Sequence, residues 1–142
     1  MNDTGKNSIL IVDDENANIM ALTHILGFEY TVYTVKNGST AIKVAEKQQP
    51  DIILLDIVMP EMDGYAVISA LKNLDSTRDI PVIFITGLSN TNDEEKGLAL
   101  GAVDYITKPF SPAIVKLRVK TQMKVLRACL KIPEMHNSHY MV

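Results

Sequence analysis

The chain holds a single cysteine, Cys129, among its 142 residues. That excludes an internal disulfide and any cysteine-built metal cluster, and it fits a reducing, cytoplasmic compartment. No apolar run approaches the roughly 18 residues that a membrane-spanning helix needs. The first residues, Met1 to Lys6, are polar and lack the apolar core of a secretory signal, so no membrane partner is expected. An excess of one charge is also missing. The 14 Lys and Arg against 17 Asp and Glu leave a net charge of −3 and a pI near 5.5. Direct nucleic-acid binding is therefore not expected, although a local basic patch is still allowed. There is no tryptophan, no internal repeat and no low-complexity tract. What remains, 46% hydrophobic and 22% charged, is an ordinary globular composition. The length suits one domain that buries roughly two thirds of its unfolded surface.

One stretch organises the rest. Ile52 to Leu55 is a short apolar run between Pro50 and Pro60, the pattern of a strand buried on both faces. Asp56 stands at its end, and turns follow at Met59-Pro60 and Asp63-Gly64. A carboxylate at the C-terminal end of a buried strand lies where open α/β sheets place their ligands.

In chain order, Ser8 to Val12 predicts another buried strand, ending in Asp13-Asp14-Glu15. Asn16 is the expected cap of a helix to Leu26, with Ile19, Leu22, Thr23 and Leu26 inward and Gly27 as its stop. Tyr30 to Val35 reads as a strand. After Asn37-Gly38, Ser39 to Gln49 reads as an amphipathic helix. Beyond Gly64, Tyr65 to Leu74 predicts a helix with Val67, Ile68 and Leu71 inward. Ile80 to Ile85 predicts a strand ending in Thr86-Gly87. Asn90 to Leu100 is a weak helix, polar at its start and interrupted by Gly97, and is expected to be mobile. Val103 to Thr107 predicts a fifth strand before Lys108-Pro109. A last helix starts with Ser111 as cap and Pro112 in its first turn, and runs to about Leu130. Five alternations of strand and helix call for a parallel sheet covered on both faces. Residues 1–130 form the expected domain. The tail 131–142 is expected to be a loose end or the start of a linker.

In such a sheet all strand C-termini share one edge. Asp13, Asp14, Asp56, Thr86 and Lys108 should gather there. Close carboxylates repel and need a cation, and hard oxygen ligands suit Mg²⁺. Lys108 supplies a point charge for a phosphate oxygen, and Thr86 a hydroxyl donor. The set amounts to a phosphoryl site around one carboxylate nucleophile.

These motifs resemble the receiver domain of two-component response regulators. They are Ile11 to Glu15, Leu54 to Gly64, Ile85-Thr86 and Gly101 to Phe110. The resemblance spans about residues 8–125. It implies a CheY-like, flavodoxin-like (βα)5 fold with strand order 2-1-3-4-5, and a regulatory domain rather than a turnover enzyme. It implies Asp56 as phosphoacceptor from a histidine kinase or phosphotransfer protein. Asp14, Asp56 and the Val58 carbonyl would bind Mg²⁺ (or Mn²⁺), with Asp13 acting through water. Lys108 would contact the phosphoryl group, and Lys108-Pro109 would be cis. Thr86 and Tyr105 would be the switch pair that reshapes the surface of the fourth helix, fifth strand and fifth helix. That surface would control an output domain or downstream protein, and either it or the last helix could form a homodimer. Two departures stand out. Gly87 follows the switch threonine, and Val58 and Leu88 are apolar where polar groups in the family help place a hydrolytic water. Slow dephosphorylation is the expectation.

Blander readings stand beside these. Asp13-Asp14-Glu15 would also serve a helix N-terminus through the helix dipole. Thr86 and Tyr105 could be ordinary strand residues. His24, His136 and His139 have no expected chemistry, and Cys129 is a helix-face residue. Val119, Met123, Leu126 and Leu130 recur at spacings of 4, 3 and 4 in a basic helix. They suggest a dimer seam or a linker into an output domain, while Ile114 and Leu117 are expected in the core. An aspartyl-nucleophile hydrolase would want a second Asp at position 58, which is Val. A degenerate receiver acting only as a binding module would lack key residues that are present. A flavin phosphate would be repelled by the acidic strand ends.

Overall fold

The computed structural model describes residues 5–87 and 91–131. Leu88 and the tail with His136 and His139 lie outside the described residues, as does the Leu130 side chain. The elements run β1 (Ser8–Val12), α1 (Asn16–Leu26), β2 (Thr31–Val35), α2 (Gly38–Gln48), β3 (Ile52–Asp56), α3 (Gly64–Lys72), β4 (Val82–Thr86), α4 (Thr91–Ala99), β5 (Asp104–Thr107) and α5 (Pro112–Lys131). The five strands pair in parallel in the order β2-β1-β3-β4-β5. This is the expected flavodoxin-like arrangement.

β1, β3 and β4 are central and buried at every position. Their alternation sends side chains to two separate cores. Leu10, Val12, Ile53, Leu55, Val82 and Phe84 meet Ala41, Ala45, Val67, Ile68 and Leu71 from α2 and α3. Ile9, Ile11, Ile52, Leu54, Ile83 and Ile85 meet Leu22 and Leu26 of α1 and Val115, Val119 and Met123 of α5. Each such aliphatic side chain contributes about 1.5–3 kcal/mol by leaving water. Caps set the helix starts. Asn37 accepts from the Thr40 amide at 2.9 Å and Asp63 from the Ala66 amide at 2.9 Å. Ser111 accepts from the Ile114 amide at 3.3 Å, as its position predicted.

Two expectations need correcting. Asn16 is the first helical residue and Glu15 holds the cap position, without a side-chain cap bond. Asp13 bends the chain one residue early, its Oδ1 accepting from the Glu15 amide at 2.9 Å. Ile114 and Leu117 are not core residues; they are 41% and 56% exposed. Val115, Val119 and Met123 are buried in their place, and Leu126 is half-buried. Positions 119 and 123 of the supposed seam therefore face the domain's own sheet. The last helix crosses β3 and β5 on the face shared with α1, and that turns a different stripe outward.

Candidate functional site

β1 and β3 are neighbours, and their register pairs Val12 with Leu55. The next residues, Asp13 and Asp56, therefore reach the sheet edge side by side, and both are buried. The chain leaves these two strands in opposite directions across the sheet, which opens a crevice between their ends. β4 follows, with Asp56 opposite Ile85, so the buried Thr86 stands one residue further along. β5 sets Thr107 opposite Thr86. The Lys108 amide donates to the Thr86 carbonyl at 2.8 Å, and Lys108-Pro109 is cis.

The Lys108 ammonium bridges the strand ends. Its Nζ lies 3.3 Å from Asp56 Oδ2, 3.4 Å from Asp13 Oδ2 and 4.0 Å from Glu15 Oε1. Burial raises the pKa of Asp56, the Asp13 charge raises it further, and Lys108 only partly offsets them. The carboxyl is pushed up to about 6. Burial pulls the Lys108 ammonium down, but Asp56 and Asp13 outweigh that and hold its pKa above the usual value. One cation thus faces two buried carboxylates, and the site is short of positive charge.

The donor set fits a divalent cation. Asp13 Oδ2 is buried without a hydrogen-bond donor, Lys108 being an ionic contact only. Carboxylate oxygens of Asp13, Asp14 and Glu15 lie within 4.8 Å of one another. An oxygen-only donor set beside uncompensated negative charge is what Mg²⁺ accepts. The geometry thereby adds Glu15, which stood in the sequence as a third acid without a role of its own.

The loop after β3 folds back on its own strand. The Val58 amide approaches Asp56 Oδ1 at 3.4 Å, and the Gly64 amide donates to the Ile57 carbonyl at 2.8 Å. The Met62 amide donates to the Pro60 carbonyl at 2.7 Å, with Glu61 between them at φ +68°. Val58 itself points to solvent, 61% exposed. Gly64 touches the Asp56 backbone, a contact its place in a turn signal did not reveal.

Tyr105 lies beneath α4. Its ring packs on Phe84 at 5.6 Å between centroids, and its hydroxyl donates to the Asp93 carbonyl at 2.6 Å. Burial, followed by the charges of Tyr65, Glu94 and Asp93, pushes its pKa up to about 12. The register pairs Tyr105 with Phe84, two residues before Thr86 on the same face of β4.

Residues 9–120 match the family described as the response regulator receiver domain. The chain belongs to that family. As a receiver domain it is 44% identical over 128 residues to a probable cyclic di-GMP phosphodiesterase of Vibrio cholerae, covering 90% of this chain and 29% of that protein. It is 45% identical over 114 residues to the response regulator PleD of Caulobacter vibrioides, covering 80% of this chain and 25% of that one. The chain thus spans less than a third of either relative. Among solved structures it is similar to the receiver domain of a Pseudomonas aeruginosa sensor histidine kinase. That structure has a magnesium ion coordinated in the active site cleft. The identity is 30% and the TM-score 0.78, over 84% of this chain and 99% of that one. A signal receiver domain of a Syntrophus aciditrophicus histidine kinase matches with 39% identity and a TM-score of 0.76, over 83% and 90% of the two chains. No helix among the described residues is long and apolar enough to cross a membrane.

Proposed function

We propose that Asp56 is the phosphoacceptor of this receiver domain. The observation that carries the reading is the Lys108 ammonium held between Asp56 Oδ2 at 3.3 Å and Asp13 Oδ2 at 3.4 Å. A carboxylate oxygen of Asp56 attacks the phosphorus of a phosphohistidine on a histidine kinase or phosphotransfer protein. The new P–O bond forms as the P–N bond breaks, and the donor imidazole takes up a proton. Lys108 holds a phosphoryl oxygen and Thr86 offers its hydroxyl to another. Asp13, Asp14 and Asp56, with the Val58 carbonyl, are the proposed holders of Mg²⁺ (Mn²⁺ has the same donor preference), and Glu15 is near enough to join them. When bound, the metal neutralises charge on the phosphoryl oxygens as a Lewis acid. The buried strand ends fix the nucleophile's direction, so positioning and charge carry the catalysis.

In this reading the domain is a switch on the cytoplasmic side, not a turnover enzyme. Thr86 and Tyr105 relay the state of Asp56 to α4, β5 and α5. On those elements and the β5 approach, Leu98, Val103, Ile114 and Leu117 are exposed apolar residues. They are candidates for a homodimer contact or an output partner, and the extended α5 is the natural route to a following output domain. The name of one curated relative, the probable cyclic di-GMP phosphodiesterase, suggests cyclic-dinucleotide signalling as that output. Val58 in place of a polar residue supports a long-lived phosphoaspartate. It also weakens the hydrolase alternative, which needs an acid at that position.

Incubation with a small phosphodonor and Mg²⁺ tests the reading by intact mass and by oligomeric size. One phosphoryl group is expected on the parent protein and none on Asp56→Asn. A mass gain that persists in the variant would sink the assignment.

A further inference from the structure

Gly97 lies in the last turn of α4, two residues before its end, buried against the Tyr105 ring. A methyl group there would stand 2.1 Å from the Tyr105 hydroxyl oxygen, 2.9 Å from the carbon bearing it and 2.9 Å from Phe84 Cε2. Something would have to move. Phe84 cannot, because it is fully buried in a central strand and packed edge-on by Tyr65 at 5.7 Å. Tyr105 can, because it is only half-buried on an edge strand, where a side chain has room to change its staggered rotamer. The slot beneath α4 exists because residue 97 has no side chain. Glycine weakens a helix interior, and the packed ring gives a reason for one here.

We propose that Gly97 is a positioning residue for the switch: by keeping this slot open it lets Tyr105 bind the first turn of α4 and couple that helix to the state of Asp56. The proposal deepens the phosphoacceptor reading and rests on it for the meaning of the switch. The tie itself is visible. The Tyr105 hydroxyl donates to the Asp93 carbonyl at 2.6 Å, and the Tyr65 hydroxyl reaches the same carbonyl at 3.4 Å. A side chain at position 97 expels the ring and leaves α4 without that anchor to β5.

The test is the Gly97→Ala variant, followed by nuclear Overhauser contacts between the Tyr105 and Phe84 rings. They are measured with and without Mg²⁺ and beryllofluoride, a phosphoryl mimic. The parent is expected to show the ring contact. The variant is expected to lose it, together with the mimic-induced shifts of α4 amides. Retention of the ring contact in the variant overturns the proposal. Melting temperatures separate the slot from general damage. Both backgrounds keep the Phe84 Cε2 contact at 2.9 Å, so the Tyr105 ring is the difference between them. Gly97→Ala should lower Tm with Tyr105 present and lower it clearly less in a Tyr105→Ala background. An equal change of Tm in both backgrounds also overturns the proposal. Phosphoryl uptake, followed by mass in the same samples, is an independent readout. Its absence from the parent would defeat the phosphoacceptor reading, while the ring contact would still decide the role of Gly97 in placing Tyr105.

Discussion

Gly64 packs so closely on the backbone of Asp56 that a methyl group there would lie 2.5 Å from the Asp56 carbonyl oxygen. It would also lie 2.7 Å from Ile57 Cα. Both obstacles are main-chain atoms of the central strand and its exit, which cannot swing aside. Gly64→Ala is therefore expected to destabilise the fold by about 1–3 kcal/mol, the usual cost of overpacking. Asp56, the proposed phosphoacceptor, should be displaced with it. Urea unfolding and the rate of phosphoryl uptake should both suffer, and parent-like values for both would contradict this account of the loop.

The charge of Asp56 should be visible in stability. Without metal its pKa is about 6, raised by burial and then by Asp13. An aspartate in an unfolded chain titrates near about 4. The folded state holds the proton more tightly, so this stabilisation is full below about pH 4 and is lost as pH rises through about 6. Asp56→Asn removes that slope. In chelator at about pH 7.5 the variant should be more stable than the parent by roughly 1–3 kcal/mol, from about two pKa units of about 1.4 kcal/mol each, reduced for residual solvation. Urea titrations at about pH 5 and about pH 7.5 check this. A stability difference of equal size at both pH values would refute it.

Removing Lys108 should make the protein depend more on metal. Lys108→Ala leaves Asp13 and Asp56 facing each other unbalanced. The loss in chelator is expected to be roughly 1–3 kcal/mol, less than for a fully buried pair because the ammonium is partly solvated. Mg²⁺ then meets no competing cation, so the gap between Tm in Mg²⁺ and Tm in chelator should widen. Asp13→Asn should act in the opposite sense and weaken Mg²⁺ binding roughly 10–100-fold, as loss of a supporting ligand does. Thermal melts across a Mg²⁺ titration distinguish the two.

Val58 stands 61% exposed two residues after Asp56. An amide there could orient water on the phosphoaspartate, which a valine cannot. Val58→Asn is expected to shorten the phosphoaspartate lifetime severalfold with little change in stability. The decay of the phosphorylated mass after removal of phosphodonor measures it, and an unchanged lifetime would remove Val58 from the account.

Much of this was written along the chain. Apolar runs ending in Asp13, Asp56, Thr86 and Lys108 marked buried parallel strands, and parallel strands share one functional edge. The cap at Ser111 and the inward Val67, Ile68 and Leu71 followed from local pattern. Local pattern failed where two choices were equally apolar. Ile114 and Leu117 read as core as readily as Val115, Val119 and Met123, because α5 carries apolar residues on more than one side. Only its docking against the α1 side of the sheet chose between them.

The sequence by itself determined the elements and the chemical groups at their ends, since periodicity and turn chemistry act over a few residues. Tertiary structure alone decided the distances. The register that sets Val12 beside Leu55 brought Asp13 to Asp56 and let one ammonium serve both. Close packing decided that Gly64 must lie on Asp56 and that Gly97 must leave room for Tyr105. Contacts of that kind join residues from 8 positions apart (Gly64 and Asp56) to 95 (Asp13 and Lys108), and no local pattern carries them.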